Sequence, residues 1–173
     1  MVRSATFACC MIVSSAYANE RSVGLVKSFQ VFCASAPLDF ATLEAKAAAM
    51  KLAVRKDIVA PPQAGRSVRT KSWLVPLDGR SHELIATEAR GPDTEVQSCG
   101  IGAEDVDGEE LRRDLVEAMK LGAPLRQTAT ADGAQRVTTW KYADDTILLL
   151  ADGTPMKIPG IYLTLQRQRN TSR

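Results

Sequence analysis

The chain is short of the residue types on which much protein chemistry depends. Histidine occurs once in 173 residues, aromatic side chains make up 5%, and cysteine occurs four times. With His82 as the only histidine, a zinc site lacks its usual three or four nitrogen and sulfur ligands. Few aromatics leave few platforms for stacking single-stranded bases. Charge of one sign is not in excess either: 22 basic against 20 acidic side chains give a formal net charge of +2. That balance falls short of the basic field on which nucleic-acid binding draws. No glycine-rich phosphate cradle, nucleotide fingerprint or zinc signature occurs. Nucleic acid is therefore not an expected partner, and neither a metal nor another cofactor is expected.

Long apolar runs are also missing. The segment from Ala5 to Ser15, with Phe7, Met11, Ile12 and Val13, is apolar or small. It is too short to reach the roughly 20 residues that span a bilayer, so a membrane anchor or other stable membrane insertion is not expected. Arg3 precedes it, and Ala16-Tyr17-Ala18 places small residues before Asn19. This order predicts a secretory signal peptide over 1–18, cleaved after Ala18, and a periplasmic or secreted product of bacterial type. Lipid attachment at Cys9 or Cys10 is disfavoured, because Thr6-Phe7-Ala8 lacks the aliphatic residue such signals carry. Residues 19–173, in a chain 45% hydrophobic and 24% charged, suffice for one globular domain.

Loss of the leader leaves two cysteines, Cys33 and Cys99. In an oxidising compartment they are expected to form one disulfide; free buried thiols suit a reducing one. A redox role would need a close pair such as Cys-x-x-Cys or a helix N-terminus at one of them; each lies a few residues ahead of a predicted helix, but no second thiol is adjacent, so a structural bridge is expected.

Both cysteines begin stretches that look like two copies of one pattern. The first runs through Asp39, Leu43, Met50-Lys51-Leu52 and Trp73, and the second through Asp107, Leu111, Met119-Lys120-Leu121 and Trp140. The Cys-to-Trp spans are 40 and 41 residues. Alternation predicts a strand from about Leu25 to Phe32. A helix capped by Asp39 follows, with Phe40, Leu43, Ala47, Met50 and Val54 on its apolar face. Pro61-Pro62 and Gly65 mark Arg55–Arg66 as a linker. Ser67–Leu77 and His82–Ala89 read as a hairpin about Asp78-Gly79. In the second copy, a strand to about Ile101 leads to a helix with a capping box, Asp107 and Glu110, ended by Gly122 and Pro124. Short strands follow at Leu125–Thr130, Ala134–Tyr142, Thr146–Ala151 and Gly160–Gln168, the last before a frayed tail over 169–173. The fold expected is α+β: an antiparallel sheet of about seven strands with two helices on one face. It duplicates a strand-helix-strand-strand unit, over about 25–90 and 94–168.

Residues that carry chemistry are sparse, and no catalytic set is predicted. His82 can serve as an acid or base near neutral pH, but alternation sends Ser81 and Glu83 to the opposite face, and a solvent-facing histidine explains it as well. Trp73 and Trp140 are candidate ligand contacts, with core packing the plainer account. Glu104-Asp105-Val106-Asp107 and Asp144-Asp145 lack the spacing of a calcium loop and read as turn and cap.

Phe29 to Cys33, the Ala-rich helix over 39–54 and Trp73 together resemble a pattern in small secreted proteins of proteobacteria. The resemblance implies export and a disulfide and carries no activity. The function expected is a non-catalytic binding or accessory protein that meets an envelope protein or a small ligand through its open sheet face or edge. An envelope hydrolase using His82, or a structural envelope protein, are the alternatives.

Overall fold

The computed structural model describes residues 13–35, 37–63, 65–133, 135–153 and 160–171. Helix α1 (Val13–Phe29) passes through one π-helical turn (Gln30–Ala34) to helix α2 (Phe40–Ala49). Four strands follow: β1 (Ala53–Gln63), β2 (Arg66–Leu77), β3 (Arg80–Arg90) and β4 (Thr94–Ala103). Helix α3 (Gly108–Met119) then leads to β5 (Arg126–Ala129), β6 (Arg136–Ala143), β7 (Thr146–Asp152) and β8 (Ile161–Asn170). All pairs are antiparallel, and the sheet runs β1-β2-β3-β4-β8-β7-β6-β5. The α+β class is as expected, with eight strands among the described residues where about seven were predicted and three α-helices where two were.

Strand order reads as a palindrome if each of β1 to β4 is matched with β5 to β8, so the halves are related by a pseudo-twofold axis. It passes through the central pair, Gly100 of β4 opposite Thr164 of β8. Across the six inner strands the register obeys it, apart from a slip between Lys141 and Ala143 of β6. On the helix-covered face one row runs Trp73, Leu84, Ile101, Leu163, and its counterpart runs Trp140, Leu148, Leu165, Cys99. The central strands approach closely because position 100 has no side chain. A Cβ there would lie 2.8 Å from Thr164 Oγ1 and 3.0 Å from the Leu163 carbonyl.

The two later helices start and stop by the same devices. Asp39 Oδ1 accepts from the Thr42 N–H at 2.8 Å, and Asp107 Oδ1 accepts from Glu109 and Glu110 N–H at 2.9 Å. These bonds satisfy donors that a first turn leaves open. At the other end Lys51 and Lys120 take left-handed φ of 55° and 51°. The Leu52 and Leu121 N–H groups then reach back to Ala47 and Val116 carbonyls at 3.0 Å, with both leucines packed on the core. That is a Schellman ending, and it accounts for the repeated Met-Lys-Leu. It is made at Lys120, ahead of the predicted stop at Gly122. Leu43 and Leu111 are core equivalents as predicted, whereas Met50 is half exposed while Met119 packs on the core.

Three expectations are corrected. Leu25–Phe32 is helical, not a strand: Leu25, Val26, Phe29, Phe32 and Cys33 are buried together at helical spacing, and tertiary packing overrides the β preference of Val and Phe. Arg55–Arg66 is no linker but most of β1 and the start of β2, and Val54 opens outward from β1 instead of extending the helix face. Pro61 and Pro62 fit because β1 is an edge strand, where a missing N–H breaks no ladder, and the register slips between Ala60 and Gln63. The repeated unit is accordingly a helix followed by four strands, with boundaries near 40–103 and 108–170.

Helix α1 lies outside this symmetry and crosses it. It packs on α3 and β4, and its π turn touches α2, β4 and β8. Of the predicted leader, residues 1–12 lie outside the described residues, and α1 covers 13–18. No helix of the described residues is long and apolar enough to cross a membrane.

Candidate ligand cleft

The predicted disulfide is formed. Cys33 and Cys99 are each 1% exposed, their Cα atoms 5.4 Å apart. Cys99 sits one residue from the axis on β4, so the bond fastens the α1 arm to the middle of the sheet. Burial of Leu25, Val26 and Phe29 along α1 does the same work by packing, and the Ser22 hydroxyl adds a hydrogen bond to Asp114 of α3.

Ion pairs hold each helix to its half-sheet at matching places. Glu44, five residues after the Asp39 cap, takes Lys71 at 2.6 Å and Arg69 at 3.1 Å. Arg112, five residues after the Asp107 cap, takes Asp152 at 2.8 Å. Arg69 and Arg136 each precede their tryptophan by four residues, and Arg136 reaches Asp152 at 3.2 Å and Glu109 at 2.7 Å. Asp152 is 0% exposed, and the two guanidinium groups that face it offset the cost of burying a carboxylate. The Lys71 bond holds the Glu44 carboxyl below its ordinary range, and the Thr42 bonds do so for Asp39.

A cleft of about 370 Å³ opens at one end of the sheet. It forms where the β2–β3 turn, the segment after β4 and the start of β8 converge, with Arg21 of α1 above. The turn is a two-residue Asp78-Gly79 loop between paired Leu77 and Arg80, with φ of 51° and 74°; two such residues in sequence make the type I′ geometry that matches strand twist. Helix α1 rests on this turn at Gly24, where a Cβ would meet Asp78 Oδ2 at 3.3 Å. Arg21, nearly one turn earlier, therefore overhangs the opening. Strand alternation puts His82 and Ala103 on the helix-covered side of the sheet end and Glu83, Gly102 and Tyr162 on the other. The Tyr162 ring lies across Gly102, whose Cβ would stand 2.8 Å from its Cε1.

His82 lines this cleft. Burial lowers its pKa from 6.5, opposed by the Asp78 charge and a backbone hydrogen bond at Gly102, so the ring is neutral at pH 7. Among the described residues no side-chain hydroxyl, thiol or carboxylate is hydrogen-bonded to it. Arg55 pairs with Glu83 at 2.8 Å, and Arg80 pairs with Asp105. Arg21, Asp78 and Glu104 have no ion pair or side-chain hydrogen bond among the described residues.

Trp73 and Trp140 stand away from the cleft. Each is 2% exposed in the core; Lys71 Nζ lies 5.9 Å from the Trp73 ring, and the Trp140 indole N–H has no partner among the described residues. Most of the acidic clusters are otherwise engaged: Asp107 caps α3, Asp105 pairs with Arg80, Asp144 pairs with Lys141 at 3.1 Å and Asp145 with Arg169 at 3.2 Å, while Glu104 has no such partner among the described residues. Among the described residues no group of three or more His, Cys, Asp or Glu could hold a metal ion.

Of the cleft residues, the sequence singles out His82 as a site candidate but not Arg21, Arg55 or Tyr162. Arg21 falls between the predicted cleavage point and the first predicted strand, and Arg55 in a stretch that reads as a linker. Tyr162 looks like any outward strand residue; only Gly100 and Gly102 on β4 hint that a neighbour comes close.

A second, shallower hollow of about 440 Å³ occupies the opposite end of the central strands. The axis places Thr146 where His82 stands in the first, Ile147 at Glu83 and Gln166 at Gly102. The hollow thus belongs to the repeated frame, and its chemical furnishing to one end. No family model, curated protein or solved structure matches the chain.

Proposed function

We propose that the protein is exported by its 1–18 leader and serves in the periplasm or outside the cell as a non-catalytic binding or accessory module, with its ligand seated in the His82 cleft. The cleft carries this reading: its volume lies in the range of small-molecule sites, and it joins a neutral imidazole, a tyrosine ring and unpaired charges at one opening. Export is supported by a buried disulfide, a bond that persists in oxidising compartments. The hydrolase alternative draws on the same histidine. It requires a nucleophile in line with His82, and Ser81 next to it points to the other face of β3.

Protein purified from an envelope extract is expected to retain a small molecule in native mass spectrometry. Ser81→Trp, at an exposed lip position, should fill the opening and lose it. Identical spectra for both proteins, with no ligand carried by either, would defeat the reading. Edman sequencing of the exported protein should begin at Asn19.

A further inference from the structure

The charges in the cleft specify more than that something binds. After the Arg55–Glu83 and Arg80–Asp105 pairs are formed, one cation and two anions remain without an ion-pair partner among the described residues: Arg21, Asp78 and Glu104. Arg21 is half buried on α1, where a guanidinium loses hydration without gaining a carboxylate. His82 is neutral, so it adds no second cation. The surplus is thus mixed in sign, and neither a simple anion nor a simple cation matches it.

The opposite hollow shows that the frame does not require this arrangement. There Asp144 and Asp145 are both paired, and among the described residues no arginine and no helix residue lines the hollow. Of the two hollows, only the one beneath α1 is lined by charges of both signs without an ion-pair partner among the described residues.

We infer that the cleft takes a small zwitterion, an amino acid or a short peptide with both ends free. The ligand's carboxylate engages Arg21, and its ammonium lies against Asp78 and Glu104. Arginine suits the first task because its fork can donate two parallel hydrogen bonds to one carboxylate. This deepens the binding reading above and rests on it.

Trialanine, its N-acetyl form, its C-terminal amide and the doubly blocked peptide are titrated into the unmodified protein by calorimetry. Free trialanine should bind, and each single block should weaken binding at least about tenfold, the loss expected for one charged contact of ~1.4 kcal/mol. In Arg21→Gln the amide and the free acid should bind alike, and in Glu104→Gln the penalty for acetylation should shrink. Since the peptide series needs no substitution, the outcome does not depend on a variant folding. Equal binding of all four peptides overturns the zwitterion assignment and leaves the cleft a ligand site. No binding of any peptide overturns it too, and the extract experiment with Ser81→Trp then decides separately whether the cleft holds another ligand.

Discussion

Cutting the Cys33–Cys99 bond by the double change to alanine tests how the arm is held. The bond joins residues 66 apart, and the chain-entropy relation for a loop of that size gives about 4 kcal/mol. Against a total of roughly 5–15 kcal/mol for a domain, that is a large share. The arm has a second hold, since Leu25, Val26, Phe29 and Phe32 are all buried, and each fully buried apolar side chain is worth about 1.5–3 kcal/mol. The double variant should therefore still fold with α1 docked, at lower stability. Urea unfolding followed by the fluorescence of Trp73 and Trp140, both interior, should show the midpoint falling by the equivalent of about 4 kcal/mol. The slope with urea should rise, because an uncrosslinked unfolded chain exposes more surface. A loss under about 1 kcal/mol would refute the reasoning. So would loss of the urea transition itself, which would mean that packing alone does not hold the fold.

The remaining tests are local. Asp152→Ala should cost about 3–5 kcal/mol in urea unfolding, since Arg112 and Arg136 would face each other with their shared carboxylate gone; a cost below 1 kcal/mol would show that Glu109 suffices. Gly102→Ala should be destabilising but largely rescued by Tyr162→Ala, while Gly100→Ala should resist rescue by Thr164→Ala because the Leu163 carbonyl also stands in the way. Asp39 and Glu44 have folded pKa values below their unfolded ones, so the stability they give is present above the ordinary carboxylate range and is lost as pH falls through the depressed values. Asp39→Asn with Glu44→Gln should flatten the acid limb of a melting-temperature profile. For His82 the folded pKa is lowered from 6.5, so the unfolded chain takes up the proton first. Stability should drop as pH falls from 6.5 toward the folded value, and His82→Gln should remove that slope.

Local signals in the sequence told the truth where the cause was local. Asp39 and Asp107 cap helices and Asp78-Gly79 makes its hairpin, because each depends on neighbours within a few residues; the helix ends, expected at Val54 and Gly122, come earlier, at the left-handed Lys51 and Lys120. The disulfide was legible from the two cysteines left after the predicted leader and from the oxidising compartment that leader implies. What failed had non-local causes. Val and Phe around Leu25 satisfy a strand pattern and a helix pattern equally, and the choice falls to a sheet whose centre is already filled by β4 and β8. Pro61-Pro62 breaks a central strand but not an edge one, and edge position is set by topology. The repeat was visible in Leu43 and Leu111, but its boundaries were misplaced because Cys33 and Cys99, the most conspicuous match, are not equivalent: the axis pairs Cys99 with Leu163. Of the cleft, His82 was seen and Arg21 was not, since what unites them is the resting of α1 on a turn more than fifty residues away.

The mirror order of the strands has a consequence for how such a chain is assembled. Each half ends in a strand, β4 or β8, whose outer edge is answered only by the other half, so a lone half leaves a ladder of ten pairs open and should join a second copy of itself. One polypeptide carrying both halves trades that encounter between molecules for a tether, and the leading helix then distinguishes two otherwise interchangeable ends. Sites that a symmetric pair would possess twice are free to diverge, one retaining ionic character while the other becomes ordinary surface.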